Sequence, residues 1–281
     1  MNSETPCTFA CADNTLIGIH HAASNQQHIG VVMVVGSPQY RVGSHRLYVY
    51  LARALAAQNI SVFRFDLQGM GDSGGQPNLF CQTGLEIKAA IAAFQHQEAE
   101  HQTTLDKIIL LGLCDGASAA ILYTLEDIQG LIMLNPWVRS QQLESKARLK
   151  HHYLPRLKDL RFFKRIFSKN FRFGQSIRGL WAHLNVLRKG DTLPTDDCGY
   201  YQDKMLKALQ QFQGKSCFVL STPDLVAQEF TILTTESLEW QAVMASPNVT
   251  CHTLADVDHT FSSMHWKKNL ADILIEWCRK L

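Results

Sequence analysis

The feature that most constrains the fold is an alternation of short apolar, β-branched runs with stretches of helical periodicity. HIGVVMVVG, NISVFRFDL, KIILLGL and GLIMLNP are typical of buried strands, and apolar residues at helical spacing lie between them. An opening pair of strands, PCTFACA and TLIGIHHAA, is joined by a turn at Asp13-Asn14. Alternation of this length predicts an α/β fold in which helices cover both faces of a mostly parallel sheet.

The stretch LLGLCDGASAA, residues 110–120, joins one predicted strand to a helical pattern. Gly112 and Gly116 lie two positions to either side of Cys114, which is the spacing of a nucleophile elbow. An elbow holds its central residue in a strained conformation, so small neighbours must leave room for the turn. The positive end of the helix dipole would also favour a thiolate. We predict that Cys114 is a nucleophile; the alternative is a buried structural cysteine.

A thiolate nucleophile needs a base, and the base needs a group that orients it. His259 follows the last predicted strand, so its loop can bring the imidazole to the carboxyl edge of the sheet. His265, near the start of the final helix, is the weaker choice. Asp224 follows the preceding strand and is the preferred acid, whereas its rivals Asp256 and Asp258 share the loop of the histidine.

One region interrupts the alternation. Residues 1–135 and 214–281 carry the strand–helix pattern, and no strong strand pattern occurs in residues 136–213. Between Arg139 and Lys189, a stretch we call the basic segment, 14 Lys or Arg accompany two acidic residues and seven aromatic ones. We predict that residues 136–213 form a helical basic cap inserted into the core, beside the edge where α/β proteins place their sites. The alternative is a solvated basic face with aromatic residues packed beneath it.

Composition narrows the choice of partners and compartment. The net charge is only +2, and no nucleic-acid-binding module is recognisable, so we expect no nucleic acid partner. No apolar run is long enough for a membrane span, and the N-terminal residues lack the pattern of a secretion signal. The eight cysteines are scattered without a C-x-x-C pair, which favours a reducing cytoplasm and no metal site. The basic segment could still attract an anionic substrate or contact an anionic membrane surface.

Several motifs, taken in their order along the chain, resemble those of the α/β-hydrolase superfamily. GLCDGA resembles its elbow, STPD and DVDHTF its acid and histidine segments, and DLQGMGDSGG its D-x-x-G-x-G-x-S loop. The resemblance implies an α/β-hydrolase fold with a mostly parallel eight-stranded sheet and a Cys114, Asp224, His259 triad. Asp66, in the glycine-rich loop, precedes the nucleophile, so we expect it to anchor that loop through backbone hydrogen bonds rather than to act in catalysis.

A narrower resemblance concerns three short motifs. VVGSPQYRVGSHR, the DLQGMGDSGG loop and GLCDGAS are similar to the first of two hydrolase types associated with exosortase A systems. Those systems occur in bacteria that make exopolysaccharide and sort proteins to the envelope. This resemblance implies a bacterial cytoplasmic hydrolase linked to exopolysaccharide genes.

Two features depart from the superfamily pattern. The elbow carries cysteine where the superfamily usually has serine. The usual His-Gly after the third strand is Val-Gly at residues 35–36, and Pro38 in the same loop has no N–H to donate. We therefore predict that the oxyanion donors are the backbone N–H of Asp115 and that of Ser37 or Gln39.

Polar residues after this loop are candidates for substrate binding. Arg41, His45 and Arg46 could contact an anionic group of the substrate. Equally, they could be ordinary residues at the entry to a helix, with Ser44 as its N-cap.

These residues predict hydrolysis of an ester, thioester or lactone through an acyl-enzyme on Cys114, without a metal or other cofactor. An acyltransferase is an alternative, because the same triad serves whether water or an acceptor takes the acyl group. A non-catalytic binding protein that retains the fold is a further alternative, favoured by the unusual nucleophile and by Pro38.

Overall fold

The computed structural model describes residues 4–23, 28–123, 127–140, 198 and 200–281. Its strands are β1 (Glu4–Cys11), β2 (Asn14–His21), β3 (Ile29–Val34), β4 (Ser61–Phe65), β5 (Lys107–Leu113), β6 (Gly130–Leu134), β7 (Lys215–Ser221) and β8 (Val249–Leu254). The α-helices that it describes are α1 (Leu47–Ala56), α2 (Gly84–Glu100), α3 (Asp115–Leu122), α4 (Tyr201–Gln211), α5 (Leu225–Glu236), α6 (Leu238–Met244) and α7 (Met264–Arg279).

All eight strands form one sheet in the order β1-β2-β4-β3-β5-β6-β7-β8. β2 pairs antiparallel with both β1 and β4, and every pairing from β4 to β8 is parallel. This confirms the predicted α/β-hydrolase fold with its mostly parallel eight-stranded sheet. Because β3, β5, β6, β7 and β8 are neighbours that run in one direction, the segments that follow them meet at one edge of the sheet.

Burial along the strands explains why the pattern of apolar residues in the sequence predicted them. β4 and β6 are buried at every position, as expected where helices cover both faces of a sheet. The edge strand β1 alternates between exposed and partly buried residues. β8, at the other edge of the described sheet, has only exposed and partly buried residues.

The first helix begins later than its sequence pattern suggests. Ser44–Arg46 form a turn of 3-10 helix, and α1 starts at Leu47 with Arg46 in a left-handed conformation at its N-cap. Ser44, the N-cap in one of the two interpretations of this stretch, therefore does not cap α1. The backbone N–H of Ser44 donates to Oε1 of Gln39, 3.1 Å away.

Most of the predicted cap, residues 141–197 and 199, lies outside the described residues. At its start, Arg139 pairs with the buried carboxylate of Glu229 on α5 at 3.1 Å. Near its end, α4 buries Tyr201, Met205 and Leu209 and contacts α3 and α6. The described ends of residues 136–213 thus pack on the core of the molecule.

Cys81 and Cys198 form a disulfide across 117 residues of sequence. It connects the 3-10 turn before α2 to the chain that enters α4. The sequence did not predict this bond, because it favoured reduced cysteines. Cys7 and Cys11, the closest pair along the chain, are free thiols. Within the described part of the chain, no helix is long and apolar enough to cross a membrane.

Candidate active site

Cys114 lies in the sharp turn between β5 and α3. Its backbone has φ 60° and ψ −125°, a conformation that residues other than glycine rarely adopt. The turn is held on both sides, since the N–H of Cys114 donates to the carbonyl of Leu134 at 2.9 Å and its own carbonyl accepts from Ala117 at 3.1 Å. This is the backbone geometry of a nucleophile elbow.

Two glycines make the turn sterically possible. A Cβ on Gly112 would lie 2.4 Å from the backbone of Gly116 and of Ala117. A Cβ on Gly116 would lie 2.5 Å from the carbonyl oxygen of Val34. These distances are far below van der Waals contact, so the elbow requires glycine at both positions.

Tyr48 supports the elbow from α1. Its hydroxyl donates to the carbonyl of Val34 at 2.9 Å and accepts from the N–H of Leu113 at 3.0 Å, and the side chain is buried. Val34 and Leu113 end the neighbouring strands β3 and β5. One hydroxyl therefore fixes the spacing of two strand ends directly before Cys114.

The structure brings His259 and Asp224 together beside Cys114. Nδ1 of His259 lies 2.8 Å from Oδ2 of Asp224, so the ring N–H donates to the carboxylate. Asp224 also caps α5, where its side chain accepts from the N–H of Ala227. Burial alone would lower the pKa of His259, but hydrogen bonds and negative charge from Asp224 and Cys114 raise it to about 10. Since Nδ1 faces the carboxylate, Nε2 is the ring nitrogen left to interact with the thiol of Cys114.

The rival residues have other positions. The carboxylate of Asp258 accepts the backbone N–H groups of Thr260 and Ser262, both at 3.0 Å, and so closes its own loop. Asp256 is an exposed turn residue with a positive φ. His265 is exposed on the first turn of α7.

Asn135, directly after β6, holds the histidine loop, and the sequence analysis did not identify it. Its side-chain amide donates to the backbone carbonyl of His259 and to Oγ of Ser221, both at 3.1 Å. Its Oδ1 accepts the N–H of Ser221 at 2.8 Å. Asn135 and Ser221 are fully buried, so the end of β7 and the His259 loop are fixed from inside the molecule. The one available signal was position, since a polar residue follows a strand at the edge that carries the site.

The two amides predicted as the second oxyanion donor both have partners inside the protein. The N–H of Ser37 donates to Oδ2 of Asp115 at 2.8 Å, and the N–H of Gln39 donates to the carbonyl of Gly36 at 2.9 Å. The Ser37–Pro38 peptide bond is cis. The N–H of Asp115 is the first of α3, so it has no carbonyl acceptor within its own helix. The sequence analysis did not predict that the side chain of Asp115 would reach this loop and accept the N–H of Ser37.

Arg41, one of the predicted substrate-binding residues, forms ion pairs within the protein. Its guanidinium pairs with Asp66 and, at 2.6 Å, with Asp72. Asp66 is fully buried and accepts the backbone N–H of Asp72 at 3.0 Å, so it anchors the glycine-rich loop as expected. The positive charge of Arg41 is thereby balanced by two carboxylates.

The other two candidates for substrate binding remain at the surface. His45 and Arg46 are exposed in the 3-10 turn before α1, and both have a positive φ. The carbonyl of His45 accepts from the Lys267 ammonium of α7. Among the described residues, no group of three His, Cys, Asp or Glu side chains is placed to hold a metal ion.

Comparison with known families agrees with the fold. The family model described as serine aminopeptidase, S33, matches residues 31–177, which is more than half of the chain. The chain belongs to this family. The S33 family lies within the α/β-hydrolases, and membership supports a hydrolase role for the chain. The family name refers to serine, whereas this S33 chain has Cys114 at the elbow.

Solved structures extend the similarity of this S33 chain to its full length. An esterase of Pyrococcus furiosus has a TM-score of 0.66 at 14% identity, covering 99% of this chain and 91% of that one. An alpha-beta serine hydrolase homologue of Coxiella burnetii has a TM-score of 0.58 at 13% identity, covering 98% and 97%. Est1E of Butyrivibrio proteoclasticus, solved with ferulic acid bound, has a TM-score of 0.58 at 15% identity, covering 98% of each. A search of curated protein sequences gives no match. At these identities the comparison shows the fold alone.

Proposed function

We propose that the protein hydrolyses an ester, thioester or lactone through an acyl-enzyme on Cys114, with His259 as acid and base and Asp224 as its orienting carboxylate. The observation that carries the proposal is the hydrogen bond of 2.8 Å between Asp224 and His259, which orients the imidazole beside the cysteine of the elbow. A merely structural cysteine would have no need of a strained turn, a helix N-terminus and an oriented imidazole.

The electrostatics of the triad keep the imidazole protonated. Because the pKa of His259 is raised to about 10, its ring carries at neutral pH the proton that the leaving group needs. Cys114 attacks the acyl carbon as its thiolate and forms a tetrahedral oxyanion. Collapse expels the leaving group, which takes the proton from His259. The neutral imidazole then removes a proton from water, and hydroxide attacks the thioester to release the acid.

The leaving group decides the substrate class. In the tetrahedral intermediate a thiolate leaves more readily than an amine, so attack on a peptide bond mostly reverses. An alkoxide or thiolate leaving group, protonated by His259, competes well with the sulfur of Cys114. Esters, thioesters and lactones therefore suit this triad better than peptides do.

The experiment compares Cys114 with a free cysteine of the same chain. Iodoacetamide is added at neutral pH, and peptide mapping measures the alkylation rate at Cys114 and at Cys251, which is exposed on β8. We expect Cys114 to react at least about tenfold faster than Cys251. Because burial raises the pKa of the Cys251 thiol, the decisive comparison is His259→Ala, which should slow alkylation of Cys114 and leave that of Cys251 unchanged. Equal rates at the two cysteines in the unaltered protein would refute the proposal.

Turnover is tested with the same protein and a panel of activated esters and acyl thioesters. Intact mass should show one acyl group, which is absent in Cys114→Ala and decays in water. An acyl group that persists until an alcohol or amine acceptor is added would identify an acyltransferase instead. The absence of an adduct from every donor would favour a binding protein that retains the fold.

The biological setting is proposed from motifs alone. The likeness of residues 34–46, 66–75 and 112–118 to exosortase A system-associated hydrolases supports a link to exopolysaccharide production. Disruption of the gene in its bacterium, followed by measurement of exopolysaccharide, tests this link, and complementation by a Cys114→Ala allele should fail.

A further inference from the structure

Tyr48, on the first turn of α1, holds both ends of the loop that follows β3. We call this loop, residues 35–43, the β3 loop. At its start, the Tyr48 hydroxyl donates to the carbonyl of Val34 at 2.9 Å, and at its end, the Tyr48 backbone N–H donates to the carbonyl of Val42 at 3.1 Å. A Cβ on Gly43 would lie 3.1 Å from the ring of Tyr48, so the ring also packs closely on the loop. One residue therefore fixes where the loop leaves the sheet and where it reaches α1.

The same hydroxyl bonds to the elbow. It accepts the N–H of Leu113 at 3.0 Å, and Leu113 directly precedes Cys114. The side chain of Tyr48 is only 2% exposed, so these bonds lie inside the molecule, where water does not replace them. A single oxygen atom thus connects the chain before the nucleophile to the chain before the β3 loop.

The β3 loop and the elbow also pack directly against each other. A Cβ on Gly116 would lie 2.9 Å from the N of Gly36, and the N–H of Ser37 donates to Oδ2 of Asp115 at 2.8 Å. The backbone N–H of Asp115 is the predicted oxyanion donor, so an acyl oxygen that accepts it would lie at the first turn of α3, beside this contact. A shift between the loop and the elbow would change the surroundings of that oxygen.

We infer that Tyr48 is a positioning residue for acylation, whose hydroxyl holds the β3 loop and the elbow in the relative position that the oxyanion requires. This inference rests on the proposed function, because only an acyl-transfer reaction forms an oxyanion. When Sγ of Cys114 bonds to the acyl carbon, an electron pair of the carbonyl moves to its oxygen, which needs a donor within hydrogen-bond reach. Tyr48 keeps its own proton throughout, since His259 supplies the proton for the leaving group.

The test compares two reactions of Cys114 on the full chain. Alkylation by iodoacetamide needs the thiolate but forms no oxyanion. Acylation by p-nitrophenyl acetate, followed as the burst of p-nitrophenol, needs the thiolate and also a correctly placed oxyanion donor. A loss of acylation that is absent from alkylation therefore reports the geometry around the acyl oxygen, which a hydroxyl that only stabilised the sheet would not change.

Tyr48→Phe removes the hydroxyl and keeps the ring and the backbone N–H. We expect the acylation rate constant at saturating ester to fall about 10- to 100-fold, as for a small displacement at a reacting centre. The alkylation rate and the ester concentration for half-saturation should each change less than about threefold, because the lost hydroxyl contacts the backbone and not the substrate.

Thr234→Val is the matched control. It also removes a buried hydroxyl that donates to a backbone carbonyl, that of Phe230 at 3.0 Å, but near the opposite end of α5 from Asp224. Both rates should stay near those of the unaltered protein.

Gly43→Ala reaches the same hydroxyl from the β3 loop, because its Cβ would press on the ring of Tyr48. This variant should also lose acylation and keep alkylation. Added to Tyr48→Phe, it should cause little further loss, since the hydroxyl through which it acts is already absent.

The outcomes separate the inference from the proposed function. If Tyr48→Phe loses no more acylation than Thr234→Val, or loses alkylation to the same extent, the inference is wrong and the proposed function stands. If Tyr48→Phe is unfolded by circular dichroism, Gly43→Ala decides, and unchanged acylation in that variant would overturn the inference. Rapid alkylation without any acylation in the unaltered protein would refute the proposed function and the inference together.

Discussion

Replacement of Asn135 should damage both stability and the reactivity of Cys114. Asn135→Ala removes the acceptor for the N–H of Ser221 and the donor to the carbonyl of His259. Leaving each of these groups unpaired costs about 1–3 kcal/mol, so we expect a loss of about 2–6 kcal/mol in the free energy of unfolding. The left-handed backbone at position 135, with φ 44°, adds about 1 kcal/mol for alanine. Asn135→Gly has the same hydrogen-bond loss without that backbone term.

The functional consequence concerns the position of the imidazole. Without Asn135 the loop of His259 is free to shift, and a displacement of about 1 Å at a catalytic group costs on the order of 10²-fold in rate. Urea unfolding measures stability, and the alkylation rate of Cys114 by iodoacetamide, measured where the variant is folded, reports the position of His259. We expect that rate to fall about 10- to 100-fold in both variants.

Leu274→Ala is the matched control. Leu274 is fully buried on α7, and its truncation costs about 2–5 kcal/mol without removing a hydrogen bond. Its alkylation rate should stay near that of the unaltered protein. If Asn135→Ala loses stability but alkylates at the rate of Leu274→Ala, the hydrogen bond to the His259 carbonyl does not position the imidazole, and the reasoning is wrong.

Four further predictions follow from contacts and charge. Asp66→Asn should lower the free energy of unfolding by about 1–3 kcal/mol but leave Cys114 alkylation unchanged; an unchanged melting temperature with lost alkylation would contradict this. The raised pKa of His259 stabilises the fold fully below pH 6.5 and loses that contribution as the pH rises to about 10. Urea unfolding of His259→Asn should therefore depend less on pH over this window than that of the unaltered protein, and equal slopes would count against it. Serine at both Cys81 and Cys198 should cost about 2–4 kcal/mol under oxidising conditions and nothing under dithiothreitol. If the basic segment attracts anionic acyl donors, their second-order rate should fall with added salt while that of a neutral ester stays constant; equal salt dependence would exclude this role.

The strands and the elbow were predictable because their signals are local. A run such as KIILLGL reports burial on both faces of a sheet, and G-x-C-x-G reports a steric requirement within five residues. His259 and Asp224 were predicted by a slightly longer argument. Each follows a strand whose carboxyl end must lie at the same edge as that of β5, so chain order alone brings them near Cys114.

Side-chain partners across loops were not predictable in the same way. Arg41 looked like a residue that could bind an anionic substrate, but the carboxylate of Asp66 follows a neighbouring strand and pairs with it. The Cys81–Cys198 bond joins positions 117 residues apart, a distance at which spacing carries no information. The role of Asn135 depends on a backbone carbonyl 124 residues later.

The same limitation explains why Asp115 was assigned only through its backbone. The sequence argument took its N–H as an oxyanion donor because every elbow offers that amide, and this part depends on local geometry alone. Its carboxyl group acquires a role only when β3 and β5 lie side by side and bring Gly36 against α3. At that point the N–H of Ser37, predicted as a donor to the oxyanion, already donates to Oδ2 of Asp115. That pairing joins the elbow to a loop 78 residues earlier, so no pattern within either segment could have predicted it.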